Sequence, residues 1–277
     1  MAERNIRLTL AYDGTDFLGW QLQKQGRTVQ GVMQDGLSRM HGHPVHVLAA
    51  GRTDSGVHAT GQVANFHTDI DSIPGARFRD ALNSYLPRDV RILSSDAVEP
   101  GFHARKSARL RVYRYYTVCG AVLLPHLRNY RHWIRRSPDL GRLNEMAAVL
   151  VGEHDFTCFT AEGDANFSKV RRVDASAFHR EGDTLVYTIA ATSFLWKMVR
   201  TVMGTLLMLE EQGSGARELR LIMAAGARSN AGGTAPARGL FLERVVYDAG
   251  CTVAENLLED AEPPGGLADD GLFPETS

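Results

Sequence analysis

Hydrophobic and polar positions alternate along several short segments, a period that is typical of β-strands with one buried face. Elsewhere apolar residues recur every three or four positions, as they do after the potential N-cap Thr28, and this spacing predicts helices. For the first half, the patterns predict a strand at 6–12, a helix at 29–40, strands at 45–50 and 62–67, a helix at 74–85 and a strand at 90–98. This order matches a ferredoxin-like split βαβ unit.

The second half shows the same types of pattern, less regularly. The predicted strands lie at 110–118, 170–178, 184–190 and 240–247, and the predicted helices at 140–151, 194–211 and 217–226. We therefore predict an α+β fold built from two ferredoxin-like domains. The first covers residues 1–105 and the second 106–250, with the change of domain near residues 104–108.

Acidic residues are concentrated at the C-terminus. Residues 252–277 carry seven acids and no Lys or Arg, which leaves a net charge of +6 on residues 1–251 although the whole chain has −1. The segment also contains Pro263-Pro264-Gly265-Gly266. We predict that residues 251–277 form a disordered acidic tail.

Basic charge is concentrated between Pro100 and Pro138, where there is no Asp or Glu. Cationic side chains neutralise phosphates and aromatic rings stack on unpaired bases. A charge run is usually a solvated face, but a stretch of 39 residues without any acid favours a polyanionic partner. The stretch holds the cations Arg105, Lys106, Arg109, Arg111, Arg114, Arg128, Arg131, Arg135 and Arg136 and the aromatics Tyr113, Tyr115, Tyr116, Tyr130 and Trp133.

Three further features bear on location and metals. The three cysteines form no C-x-x-C pair, which favours a reducing compartment over a disulfide framework. No signal-like N-terminus and no apolar run of about 18 residues occurs, so we expect a cytoplasmic protein without a membrane span. His41, His43 and His46 resemble a metal cluster, but Pro44 interrupts any shared face, and we predict no metal.

The segment 51–61 reads G-R-T-D-S-G-V-H-A-T-G and places Asp54 in a glycine-punctuated loop between two predicted strands. A carboxylate held in this way can act as a nucleophile, base or metal ligand. An Asx turn between strands is the structural alternative. His58 suggests an Asp–His relay, but a glycine-bearing turn separates it from Asp54, so we assign it a structural role.

Several motifs resemble the tRNA pseudouridine synthase A family, and the resemblance extends through most of residues 5–248. The segment 51–59 closely resembles the family signature. Around it, in order, lie similar motifs: Y-D-G-T-D-F-L-G-W-Q at 12–21, F-H-A-R at 102–105 with R-V-Y-R-Y at 111–115, F-L-W-K-M-V-R at 194–200 and A-P-A-R-G-L at 235–240. The acidic tail and the detail of Trp196-Lys197 lie outside the shared pattern.

This resemblance implies a function and an architecture. Such enzymes isomerise uridine to pseudouridine at positions 38, 39 and 40 of the tRNA anticodon stem-loop, as homodimers and without a cofactor or metal. It implies one extended, mainly antiparallel sheet flanked by helices, with the active-site cleft between the two domains.

The resemblance also assigns roles to individual residues. Asp54 becomes the nucleophile and Arg200 its ion-pair partner across the cleft. Tyr113 packs against the target base and helps to remove the C5 proton, although Tyr115 shares its face of the strand. Apart from the resemblance, we predict that Arg52, the second cation near Asp54, contacts RNA phosphate or takes the place of the flipped base. The basic stretch adds predicted RNA contacts at Arg105, Arg109, Arg111 and Arg114.

Two other classes of function stay open at this stage. An RNA-binding module or chaperone would share the basic stretch but would not need an acid at Asp54. A nucleosidase would release free uracil, although hydrolytic glycosidases use two carboxylates and only one acid lies near this loop. The sequence leaves open which tRNAs are modified, whether Asp54 attacks the base or the ribose, and what the tail does.

Overall fold

A computed structural model describes residues 4–120 and 122–248 of the chain. The predicted acidic tail, with Cys251, lies outside these residues. The strands are β1 (Arg4–Tyr12), β2 (Leu48–Ala49), β3 (His58–Thr68), β4 (Val90–Val98), β5 (Leu110–Cys119), β6 (His132–Ile134), β7 (Gly152–Asp155), β8 (Val170–Glu181), β9 (Thr184–Ala191) and β10 (Leu240–Val246). The α-helices are α1 (Val29–His41), α2 (Phe78–Asn83), α3 (Leu140–Val149), α4 (Met198–Glu211) and α5 (Ala216–Ala225).

The strands form one extended sheet in the order β4-β1-β3-β10-β5-β9-β8-β7, with β2 beside β3 and β6 beside β5. The first half has the antiparallel order β4-β1-β3-β2, and the second half repeats it as β10-β5-β9-β8. The halves join where β10 runs parallel to β3, with Phe241 opposite His58 and Leu242 opposite Ala59. The predicted α+β fold of two split βαβ units in one mainly antiparallel sheet is confirmed. The domain boundary at 105/106 stays a prediction.

The larger of two hydrophobic clusters in the described residues joins strands and helices and continues through both halves. Ile6, Leu8 and Leu10 alternate along β1 and are fully buried, as are Met33 and Leu37 of α1. Burial of such side chains is the main favourable term in folding. None of the helices within 4–120 and 122–248 combines the length and the apolar character needed to cross a membrane.

Two strands around the Asp54 loop differ from the expected ranges. β3 begins at His58 rather than at residue 62, and β2 covers only Leu48–Ala49 of the predicted 45–50. The turn-like composition around Gly61 concealed the start of β3. A Cβ at Gly61 would lie 2.1 Å from the Glu243 carbonyl oxygen, so this glycine permits the close approach of β10.

Other differences concern helix ends and short strands. The helix predicted at 194–211 begins only at Met198, and the one predicted at 74–85 is a 3-10 turn at Gly75–Arg77 followed by α2. Strands β6 and β7 were not predicted, since three or four residues are too few to show a period. The remaining predicted elements are confirmed, with ends that shift by up to three residues.

Candidate active site

The loop that carries Asp54 rests on the segment after β1, and two glycines make this contact possible. A Cβ at Gly14 would lie 2.0 Å from the Val57 carbonyl oxygen, and one at Gly19 would lie 2.5 Å from that of Thr53. Such distances exclude any side chain at either position. The Trp20 N–H donates to the Thr53 carbonyl at 3.0 Å, which fixes the residue before Asp54.

Two polar side chains hold the start of the same loop. The Gln62 Nε2 donates to the Gly51 carbonyl at 2.8 Å, and the Arg111 Nη2 donates to the Ala50 carbonyl at 2.9 Å. Arg111 is only 7% exposed, and its guanidinium donates to four backbone carbonyls in all, including that of Thr192. Burial lowers the pKa of Arg111. The predicted RNA contact at Arg111 is therefore not retained, because its donors already serve the backbone.

Asp54 forms an ion pair with Arg200 of α4. The Arg200 Nη1 lies 3.1 Å from the Asp54 Oδ2, and the two side chains are 15% and 19% exposed. The Arg200 Nε donates to the Ala235 carbonyl at 2.8 Å, and the Ala235 N–H donates back to the Arg200 carbonyl at 3.0 Å. Different nitrogens of one planar group thus meet two acceptors, which orients the guanidinium toward the carboxylate. The structure brings these two predicted residues together across 146 positions of sequence.

Tyr113 and Tyr115 share a face of β5, but their hydroxyls have different surroundings. The Tyr115 hydroxyl donates to the Pro236 carbonyl at 2.8 Å. The Tyr113 hydroxyl makes no hydrogen bond to a described residue and would lie 3.7 Å from a Cβ at Gly51. Its ring meets Phe194 edge-on at 5.1 Å between centroids. Burial, with smaller contributions from nearby Tyr12 and Asp54, raises the pKa of Tyr113, so its hydroxyl is protonated at neutral pH.

A buried network around His58 ties three segments together behind the loop. His58 is 1% exposed, and its Nδ1 accepts from the Gly14 N–H at 3.0 Å, so Nε2 carries the proton and donates to the Asn129 carbonyl at 2.9 Å. The Tyr130 hydroxyl donates to the Asp13 Oδ2 at 2.6 Å, and the other oxygen of Asp13 lies 3.2 Å from the His58 Nδ1. Burial lowers the pKa of His58 despite this carboxylate. The carboxylate beside His58 is therefore Asp13, which the sequence pattern did not indicate, and not Asp54; with the proton on Nε2, no hydrogen bond joins Asp13 to Nδ1.

The profile of the tRNA pseudouridine synthase family matches residues 9–105 and 146–248 of the chain. The chain belongs to this family. The matched ranges contain Asp54 and Arg200, whereas Tyr113 lies between them. The resemblance inferred from the motifs is thus confirmed.

Individual relatives match over most of their length. A tRNA pseudouridine synthase A of Treponema denticola is 46% identical over 250 residues, which cover 88% of this chain and 93% of the relative. The tRNA pseudouridine synthase A of Halalkalibacterium halodurans is 42% identical over 242 residues, which cover 87% of this chain and 92% of the relative. The tRNA pseudouridine synthase A of Brachyspira hyodysenteriae is 38% identical over 244 residues, which cover 88% of this chain and 98% of the relative.

The predicted RNA-contact arginines other than Arg111 fall into two groups. Arg52, Arg105 and Arg109 are exposed, and within residues 4–120 and 122–248 no hydrogen bond or ion pair engages their guanidinium groups. Arg114 points to the face of β5 opposite Tyr113, is 12% exposed and has its Nη1 3.8 Å from the Glu243 Oε1. Of these four arginines, the three in the first group present exposed cations on the surface.

Two of the three histidines that resembled a metal cluster have other partners. The His41 ring nitrogens bond to the Leu37 carbonyl and the Thr68 hydroxyl, both at 2.8 Å, and the His43 Nε2 lies 3.1 Å from the Asp69 Oδ2. In the part of the chain that the structure describes, no three possible metal ligands come together.

Proposed function

We propose that this chain isomerises uridine to pseudouridine at positions 38, 39 and 40 of the tRNA anticodon stem-loop, with Asp54 as the nucleophile. The observation that carries the proposal is the Asp54–Arg200 ion pair, at 3.1 Å, in a member of the tRNA pseudouridine synthase family. The site combines one carboxylate that is partly shielded from water with a fixed cation and a neighbouring phenol. This is a set of groups for covalent catalysis on a neutral base.

The reaction needs no external acceptor. The N1–C1′ bond breaks, the uracil ring turns, and a C5–C1′ bond forms, while C5 loses a proton and N1 gains one. Atoms and electrons therefore balance within the nucleotide. An ionised carboxylate can start this sequence by attacking C1′, by adding to C6 of the ring or by assisting the loss of the base, and we propose that Asp54 supplies that carboxylate.

Arg200 and Tyr113 divide the remaining tasks. The Arg200 guanidinium holds the Asp54 carboxylate in one orientation and keeps a positive charge beside it as the substrate replaces water. The Tyr113 hydroxyl, protonated at neutral pH, packs beside the target base. It can accept the C5 proton only while passing its own proton to a base, so it acts as a proton carrier rather than as a phenolate.

The rest of the proposal concerns partners. Arg52, Arg105 and Arg109 contact phosphates of the tRNA, and Arg52 lies two residues from Asp54, close enough to act at the flipped nucleotide. Arg114, beside Glu243 on the far side of β5, stays a predicted RNA contact. From the resemblance alone, we further propose a homodimer that uses neither a cofactor nor a metal.

The test follows both the base and its C5 proton. Wild-type protein is incubated with tRNA carrying 5-³H-uridine, and released tritium and free uracil are measured beside the variants Asp54→Asn and Asp71→Asn. Asp71 is exposed and follows the far end of β3, so it is a matched acid outside the site. We expect release by wild type and Asp71→Asn, none by Asp54→Asn, and no uracil.

Each other result has a definite meaning. Free uracil would identify a nucleosidase. Tritium release by Asp54→Asn would refute the assignment of Asp54 as the nucleophile. Binding of tRNA without tritium release by wild type would leave an RNA-binding module in place of the isomerase.

A further inference from the structure

Trp196 is an exposed aromatic residue between two side chains of the candidate site. It is 47% exposed, whereas Leu195 beside it is buried. Phe194, two residues before it, meets the Tyr113 ring, and Arg200, four residues after it, pairs with Asp54. Four residues of chain span at most about 14 Å, so the backbone of Trp196 lies within that distance of the backbone of Arg200.

The backbone of Trp196 is fixed although its side chain faces solvent. Its N–H donates to the Asp164 Oδ2 at 2.8 Å, and its carbonyl accepts from the Ala161 N–H at 3.1 Å. The Asp164 carboxylate is 1% exposed and also accepts from the Lys169 Nζ at 2.8 Å. Burial alone would raise the pKa of Asp164, but the hydrogen bonds from Lys169, Trp196 and Asn166 outweigh it and lower the pKa well below the usual range. The ionised, hydrogen-bonded Asp164 carboxylate therefore fixes the turn from which the indole extends into solvent.

Lys197 adds a strained cation to the same turn. Its φ is 60°, and it is the one residue other than glycine with positive φ in the described part of the chain. Side chains with a Cβ rarely adopt this conformation, and such strain concentrates at functional sites. The Lys197 Nζ lies 4.9 Å from the centroid of the Trp196 ring. The residue with the strained backbone, Lys197, is thus also the one whose ammonium lies against the exposed ring of Trp196.

We propose that Trp196 and Lys197 form a stacking site for an unpaired base of the RNA, adjacent to the target uridine. The proposal rests on the proposed function. Flipping a nucleotide out of the stack leaves its neighbour with an open face. The indole replaces the lost stacking partner, and the Lys197 ammonium moves from the ring to the adjacent phosphate.

The experiment uses the full chain with Asp54→Asn, which keeps the substrate unreacted, and an RNA of the anticodon stem-loop sequence. Binding is measured by anisotropy for Trp196→Ala, Trp196→Phe, Lys197→Gly and the control Phe167→Ala. Phe167 is a fully exposed aromatic on the neighbouring segment. Thermal melting of each variant verifies folding. The melting temperature should stay unchanged in the Trp196 and Phe167 variants, because each of these substitutions replaces an exposed side chain.

We expect Trp196→Ala to raise Kd about 5- to 150-fold, the range for one stacked base. Trp196→Phe should stay within a few-fold of the parent and Phe167→Ala should equal it. Lys197→Gly should lower the slope of log K against log salt by about 0.7 to 0.9, one phosphate contact. RNA should also change the tryptophan fluorescence of the parent more than that of Trp196→Phe, since Trp20 is buried and Trp133 half-buried.

Three results would overturn the stacking site: an unchanged Kd for Trp196→Ala, equal losses for Trp196→Phe and Trp196→Ala, or equal losses for Phe167→Ala and Trp196→Ala. Tritium release by the protein with Asp54 intact keeps the two proposals separate. Release with an unchanged Kd for Trp196→Ala refutes only the stacking site. An absence of release refutes the isomerase, whatever the binding data give.

Discussion

Substituting Arg200 tests whether the cation beside Asp54 acts by its charge, its shape or both. Two unit charges about 3 Å apart attract each other by roughly 5 kcal/mol at an effective dielectric constant of 20. The side chains are 15% and 19% exposed, so water screens part of this attraction. We expect Arg200→Ala to cost about 2–4 kcal/mol of transition-state stabilisation, which lowers kcat/KM about 30- to 1,000-fold.

The Lys variant separates charge from geometry. Arg200 reaches Asp54 with Nη1 and the Ala235 carbonyl with Nε, and a single ammonium cannot reproduce this fork. Arg200→Lys should therefore recover part of the activity that Arg200→Ala loses.

The assay is single-turnover tritium release with enzyme in excess but below saturation, so that the rate divided by the enzyme concentration gives kcat/KM, with thermal melting to exclude unfolding. The control is Arg77→Ala, which removes an exposed arginine that pairs with Asp80 at 3.3 Å and should change neither quantity. Activity of Arg200→Ala within about threefold of wild type would refute the role of the ion pair, because 1.4 kcal/mol already corresponds to tenfold. Equal losses in the Ala and Lys variants would refute the contribution of charge and leave only the guanidinium fork.

Two further predictions concern the groups around this pair. Tyr113→Phe removes a hydroxyl that bonds no described residue, so the melting temperature should hold while tritium release falls about 10²- to 10⁴-fold; unchanged release would reduce Tyr113 to packing. His58→Leu leaves the Gly14 N–H and the Asn129 carbonyl without their partner and should cost about 1–3 kcal/mol of unfolding free energy per group. The pKa of His58 is lowered in the folded state. Between this lowered pKa and about pH 6.5, the unfolded chain therefore binds more protons than the folded chain, and the free energy of unfolding rises with pH. Denaturant unfolding between pH 5 and 7.5 should show a weaker rise in the variant. Part of the rise should persist, because burial also lowers the pKa of His132. An equal rise in wild type and variant would contradict the assignment.

The fold was largely predictable because its elements are local. The Thr28 side chain accepts from the Gly31 N–H at 3.2 Å, as its position before an apolar period of three to four indicated. The order of strands and helices then defined two split βαβ units, since this motif has one common sheet order. Local patterns could not show that the two units join by a parallel contact of β3 with β10, because that pairing links residues about 180 positions apart.

The candidate site was less predictable because charge along a sequence does not reveal burial. Arg111 was grouped with RNA contacts on account of the acid-free stretch, yet it serves four backbone carbonyls in the interior. Strand periodicity did contain the relevant signal: Arg111, Tyr113 and Tyr115 alternate onto one face of β5, and all three are buried. A cation in register with two buried tyrosines is a structural anchor, whereas Arg109, before the strand, is exposed.

The meeting of β3 and β10 also explains why the site contains groups from both halves. Asp54 precedes β3 and Ala235 precedes β10, so the two chain segments enter the sheet side by side at its central junction. Arg200 then completes the arrangement by contacting both segments, one nitrogen on each. A shift of β10 by one residue would move its side chains to the other face and displace the Ala235 carbonyl from the guanidinium. The Asp54–Arg200 pair therefore depends on the register that joins the two halves, and the chemistry proposed here belongs to their junction rather than to either half alone.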